Sequence, residues 1–301
     1  MSKQLIRLGH SPDPDDAFMF YGLAKGLVDS GPFEFEHILR DIQSLNEWAL
    51  EGKLEVTAIS VHAYAYLQDK YAILSSGASM GATELASYLA DIDKGDIPIT
   101  APTNSNAHGP MIIAKEQLTL DELKGKKIAI PGKMTSAFLA AQLAIGKFEY
   151  EVVMFDEIIE AVLDGKADAG LIIHEGQLTY QNDGLKCILD LGRWWFDQHA
   201  LPMPLGCNTI RRDLGSKVMA QVSEILKKSI LYSLEHRKEA VEYALQFGRG
   251  LDNKLADEFV GLYVNQWTVD YGPKGRQALT DFLQLGANEK IIPNVKPLEF
   301  V

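Results

Sequence analysis

Two stretches decide the fold: LEGKLEVTAIS at Leu50–Ser60 and LDGKADAGLII at Leu163–Ile173. Each passes from a helix end through an acidic residue and a Gly-Lys pair into a short buried strand. Gly52 and Gly165 read as helix C-caps, because glycine takes up positive φ without a Cβ penalty. The strands end at Ser60 in one copy and at Ile173-His174 in the other. Two βαβ halves built alike present equivalent strand C-termini, and open α/β sheets bind ligands just outside those ends. Ser60 and His174 are therefore expected to face one another across a cleft.

Outward from these stretches, short apolar runs alternate with helical patterns. Strands are expected at Leu5–Leu8, Phe33–Leu39, Val56–Ser60 and Ala72–Leu74. Helices are expected at Asp15–Val28, Ile42–Leu50 and Val61–Asp69. A second series begins with a strand at Met111–Ala114, followed by strands at Lys127–Ile130, Glu151–Phe155 and Ala169–Ile173. Its helices are Leu120–Leu123, Thr135–Ile145 and Ile158–Leu163. From Leu214 to Leu285 the pattern is helical, with a break near His236. Such alternation makes βαβ units and mostly parallel sheets. The layout is α/β and two-lobed, like a periplasmic binding protein, with each lobe a mostly parallel sheet flanked by helices and a ligand cleft between lobes. Crossings near Asn106–Gly109 and Leu201–Gly206 make residues 1–107 and 205–301 a discontinuous first lobe and 108–204 the second. Met80–Ala107 fits neither lobe's periodicity and reads as an insertion at the first crossing.

Composition narrows the function. The chain has 301 residues, 47% hydrophobic and 23% charged, which suits folded domains rather than disorder. Its net charge of −12 repels phosphate backbones, so nucleic acid is not expected as a partner. Two cysteines, Cys187 and Cys207, build neither a disulfide framework nor a four-thiolate metal site. No signal peptide or membrane span is read, so a cytoplasmic protein without a membrane partner is expected.

HExxH, CxxC, GxGxxG, the P-loop and GxSxG are all missing from the sequence. Of seven histidines, His174 stands out. It follows the apolar run GLII where a buried strand leaves its sheet, and there it either accepts a substrate proton or simply bonds a backbone carbonyl. HSPDPDDAF at His10–Phe18 sets Asp13, Asp15 and Asp16 between a strand and a helix. The favoured reading is helix capping on a proline-stiffened loop rather than a cation site, with Asp16 reaching the cleft. Thr135 and Ser136 in PGKMTSAF open a helix, where hydroxyls and backbone N–H groups suit a carboxylate or hydroxyl-rich ligand. Trp194, Trp195 and Phe196 read as hinge packing or cleft lining.

The same residues carry a resemblance. SPDPDDAFMFYGL at Ser11–Leu23, LNEWALEGKL at Leu45–Leu54, AGLIIHE at Ala169–Glu175, DLGRWW at Asp190–Trp195 and LPMPLG at Leu201–Gly206 resemble the 1,4-dihydroxy-6-naphthoate synthase family of the futalosine route of menaquinone biosynthesis. The resemblance covers nearly the whole chain except Met80–Ala107. It implies a type II periplasmic-binding-protein fold and a cytoplasmic lyase. The implied reaction splits cyclic dehypoxanthinylfutalosine into 1,4-dihydroxy-6-naphthoate and a sugar-derived fragment. It implies His174 as the catalytic base. The substrate-contacting strand end falls on Ala58, Ile59 and Ser60, and the helix-start loop on Ser136 and Ala137, beside Thr135. Asp16, and Asn46 from LNEWALEGKL, complete the expected binding set. No metal or organic cofactor is implied, and a homodimer is compatible with the family. Ala58 stands where the family can carry lysine. The alternatives are a solute-binding protein for an organic acid and the related chorismate dehydratase.

Overall fold

The computed structural model describes residues 3–81, 108–247 and 252–301, so Met80 and Gly81 apart, the expected insertion lies outside the described residues. The first sheet holds β1 (Gln4–His10), β2 (Phe33–Leu39), β3 (Val56–Ser60), β4 (Tyr71–Ile73), β5 (Ser79–Gly81) and β11 (Met203–Arg211). Its order is β2-β1-β3-β11-β4, with β5 also on β11. The second holds β6 (Met111–Ala114), β7 (Lys127–Ile130), β8 (Glu149–Val152), β9 (Ala169–Ile172) and β10 (Lys186–Asp190), in the order β10-β6-β9-β7-β8.

The sheets are mostly parallel, as expected, but among the described residues each is made mixed by one reversed strand. β1 runs parallel to β2 and β3, and β7 parallel to β8 and β9. β6 and β11 run antiparallel to their neighbours. The reason is topological. Parallel strands of each sheet end at the cleft, so a chain arriving from the other sheet enters at that end and runs away from it.

Among the elements that escaped the sequence reading are β5, β10, the helix Leu191–His199 and β11. β11 contains Pro204, Gly206 and Asn208, which weaken a strand signal. The single helix expected over Asp15–Val28 is two short ones, Pro14–Met19 and Tyr21–Ala24, broken at Phe20. Ala17, Phe18, Met19 and Phe20 are all buried. Successive positions on one straight surface helix point in different directions and cannot all face inward. The helix expected over Val61–Asp69 stops at Tyr64. β8 begins earlier than expected because it is an edge strand with every side chain exposed, so pairing with β7 sets its limits rather than apolar pattern. Elsewhere pattern and structure agree, as at Ile42–Glu51, which Gly52 ends in the left-handed conformation at φ 71°.

The C-terminal third is helical: Ser216–Glu235, Arg237–Leu245, Asn253–Tyr263, Gln266–Val269 and Gly272–Asn288. The chain then returns to β4, where Ile73 N–H donates to Glu299 O and Val301 N–H to Ile73 O. One apolar cluster includes Ile59, Tyr71 and Ile73 from the first sheet and Ile112, Ile128 and Leu171 from the second. Trp195 lies fully buried in it, stacked on His199 at 3.8 Å, edge-on to Phe282, and donating from Nε1 to Pro202 O. It packs the crossing and does not line the cleft. Trp195→Ala is expected to lower the unfolding free energy by about 3–5 kcal/mol, a loss typical of deleting a buried aromatic; urea denaturation followed by circular dichroism measures it.

Candidate functional site

Strand ends from both sheets converge on one cleft. Counted with its open mouth, the space between them is about 710 Å³. Ala58, Ile59 and Ser60 supply one wall from β3, and Thr135, Ser136 and Ala137 supply another from the loop after β7. Asp13, Asp15 and Asp16 enter from the loop after β1 and the helix that follows. Asn46 is not on the wall. It lies buried behind Ser60, accepting from Ser60 N–H at 2.8 Å and donating to Ser60 Oγ at 3.0 Å and to Met134 O at 3.4 Å. It therefore fixes the strand end and ties it to the opposite loop.

The hydroxyls expected to meet ligand are used by the protein. Thr135 Oγ1 accepts from Phe138 N–H and donates to Gly132 O, as an N-cap does. Ser136 Oγ donates to Leu205 O at 2.5 Å and accepts from His62 N–H. His62 Nδ1–H donates to Thr135 O, and Met134 N–H donates to Gln43 Oε1. These bonds clasp the loop of the second sheet onto the first. What the helix start still offers is its first-turn N–H groups, at Ser136 and Ala137, which lack intrahelical acceptors.

His174 lies one residue beyond Ile173, which lines the cleft, while its own ring is only 7% exposed and off the wall. Gly176 N–H donates to Nδ1 at 2.9 Å, so in the neutral ring Nε2 carries the proton. A Cβ at Gly176 would come within 2.5 Å of His174 Cε1, so glycine there is what seats the ring. Glu175 Oε2 lies 3.9 Å from Nδ1, and Phe155 meets the ring edge-on. Gln177, in the same short 3₁₀ turn, accepts from the buried hydroxyl of Tyr263.

Among the described residues the wall carries three aspartates and no lysine, arginine or histidine. Burial and the neighbouring Asp16 and Asp13 push Asp15 well above the usual carboxylate range. Burial raises Asp16 to about 6, against the Ser11 N–H that donates to its Oδ2 at 2.8 Å. Asp13 occupies the N-cap without its side chain capping the helix, unlike the favoured reading. Among the described residues no three His, Cys, Asp or Glu side chains converge as a metal site. Behind the aspartate loop, His10 Nδ1–H donates to Ser11 O, and His10 Nε2 accepts from His37 Nδ1–H at 3.2 Å. Sequence reading missed Gly77, Ser79, Asn208, Phe259 and Tyr263, all on the wall. For Asn208 the missing signal was β11 itself.

A family model described as menaquinone biosynthesis matches residues 6–84 and 98–288. The chain is 35% identical over 296 residues to a 1,4-dihydroxy-6-naphthoate synthase of Thermus thermophilus, covering 98% of this chain and 99% of that one. It is 31% identical to the synthase of that name from Streptomyces coelicolor, covering 99% of this chain and 98% of that one. A solved structure from Archaeoglobus fulgidus superposes with a TM-score of 0.84 at 43% identity, covering 96% of this chain and 98% of that one. The alkanesulfonate-binding protein of Xanthomonas axonopodis pv. citri, bound to MOPS, reaches a TM-score of 0.67 at 14% identity over 98% and 96% of the two chains, a likeness of fold alone.

The buried groups set a pH response. Burial holds His10, His37 and His62 near 4, below their ordinary 6.5. The unfolded chain therefore binds these protons more readily, and stability drains as pH falls through 6.5 toward 4. Asp15 and Asp16 act oppositely: their raised folded values mean that stability is regained as pH falls, for Asp16 below about 6. His37→Gln is expected to shrink the stability lost between pH about 7 and about 4.5, and Asp15→Asn to enlarge it. Denaturant midpoints at the two pH values read both.

Proposed function

The chain belongs to the menaquinone-biosynthesis family, and from that premise we propose that it converts cyclic dehypoxanthinylfutalosine to 1,4-dihydroxy-6-naphthoate. The observation that carries the reading is the cleft, together with near full-length likeness to two synthases of that name. Splitting a carbon skeleton next to a carbonyl needs a proton removed and an enolate-like charge stabilised. We assign the first task to His174. Nδ1 holds the ring's lone pair. On taking a proton it turns from acceptor to donor, Gly176 N–H loses its partner, and Glu175 Oε2 is close enough to balance the new charge. The reading requires the Ile173–Gly176 segment to turn the ring onto the wall when substrate binds. The second task falls to the N–H groups of Ser136 and Ala137 at the helix start, where the dipole favours negative charge. Ser60, with Ala58 and Ile59, and Asp16 complete the substrate contacts, with Asn46 and Thr135 holding the walls in place.

We further assign residues 1–107 with 205–301 to one lobe and 108–204 to the other, and the protein to the cytoplasm as a homodimer. No helix among the described residues is long and apolar enough to cross a membrane. Carriage of a free organic acid is the weaker reading, since both relatives matched over nearly the full length are named as synthases.

Purified protein is expected to release 1,4-dihydroxy-6-naphthoate from the cyclic substrate, detected by mass spectrometry, and to leave chorismate unchanged. His174→Asn is expected to fold and to lose about 10²–10⁴-fold in kcat, the usual contribution of a positioned base. Unaltered turnover by that variant removes His174 from the reaction.

A further inference from the structure

Asn208 sits in the middle of β11, directly opposite Ala58 on β3, so the two side chains share the face of the sheet that floors the cleft. Its backbone is held, because Asn208 O accepts from Leu74 N–H at 2.9 Å. Its carboxamide is held as well. Gly77, at φ +86°, lies so close that a Cβ there would stand 2.1 Å from Asn208 Nδ2. Gly77 is itself anchored, donating its N–H to Thr268 O at 2.7 Å. A positive-φ glycine and an alanine thus leave space for one amide. That amide is 1% exposed, and its Oδ1 has no hydrogen-bond partner among the described residues. A buried acceptor left unpaired is costly, and it is kept where something else supplies the donor.

We propose that Asn208 is a specificity-determining residue, its carboxamide oxygen accepting a hydrogen bond from a hydroxyl group of the substrate, with Gly77 as the residue that positions it. This rests on the reading of the cleft as the site for cyclic dehypoxanthinylfutalosine. An amide oxygen takes only a donor, so a carboxylate does not fit it, and a substrate without its purine has hydroxyls to offer.

The test compares wild type, Asn208→Leu and Asn208→Ala on cyclic dehypoxanthinylfutalosine and on deoxy analogues that each lack one hydroxyl. Both variants are expected to lose about tenfold to hundredfold in kcat/KM, mostly through KM. Asn208→Leu is expected to melt at or above wild type, because an unpaired buried polar atom has gone. One deoxy analogue is expected to cost wild type a similar factor and the variants nothing further, which a purely structural role would not produce. Wild-type kcat/KM in both variants, or equal discrimination against every analogue by wild type and variants, overturns the proposal. A wild type that neither turns over nor binds the cyclic substrate overturns the reading of the cleft, and this proposal with it. Wild-type turnover with an indifferent Asn208 overturns this proposal alone.

Discussion

The antiparallel ladder between β3 and β11 is the constraint on which the rest depends. It runs from Ser60 against Gly206 to Val56 against Ile210 and joins segments separated by about half the chain. Through it the polypeptide returns from the second sheet and seals the first. β4 and β5 then pair on the far side of β11, and the C-terminal residues close over β4. The same ladder sets Ala58 beside Asn208 and Ser60 beside Gly206 on the floor of the cleft. Pairing at long range carries a large loop-closure cost, so this ladder stands only because apolar side chains on both faces are buried at the same time.

Closure of the cleft is polar where the core is apolar. Gln43, Asn46 and His62 from the first sheet's side meet Met134, Thr135 and Ser136 from the second. Each of these groups, buried or half-buried, satisfies another, which avoids the penalty for an unmet donor or acceptor. The clasp uses up hydroxyls that a ligand might have met, and it leaves the helix start's backbone N–H groups in their place. The interior it encloses is short of positive charge. Where two carboxylates are buried together without a cation, the charged form is disfavoured and protons are retained. The neighbouring imidazoles are held neutral by the same burial. The aspartate wall of the site is thus less charged than its residue names suggest, above all at Asp15.

The sequence was legible where local rules govern. Leu50–Ser60 and Leu163–Ile173 came out as read, because a left-handed glycine and a short, mostly apolar strand are written in adjacent residues. Ser60, Ser136 and Asp16 were found as strand-end and helix-start residues, and all three line the cleft. Asn46 was found by motif, but its task is visible only through its bonds to Ser60. β11 was illegible, since proline, glycine and asparagine spoil a strand pattern whose stability comes from three neighbouring strands.

By itself the sequence determined an α/β chain with two similar halves, the ends of its parallel strands, and the residue types waiting there. These follow from periodicity and from the conformational freedom of single glycines, both properties of near neighbours. Tertiary structure alone decided that the sheets are mixed, that Thr135 and Ser136 turn toward protein, that His174 sits behind Ile173, and that Asn208 and Gly77 meet. Those outcomes depend on which distant strand arrives alongside and from which direction, and no short window of residues contains that information.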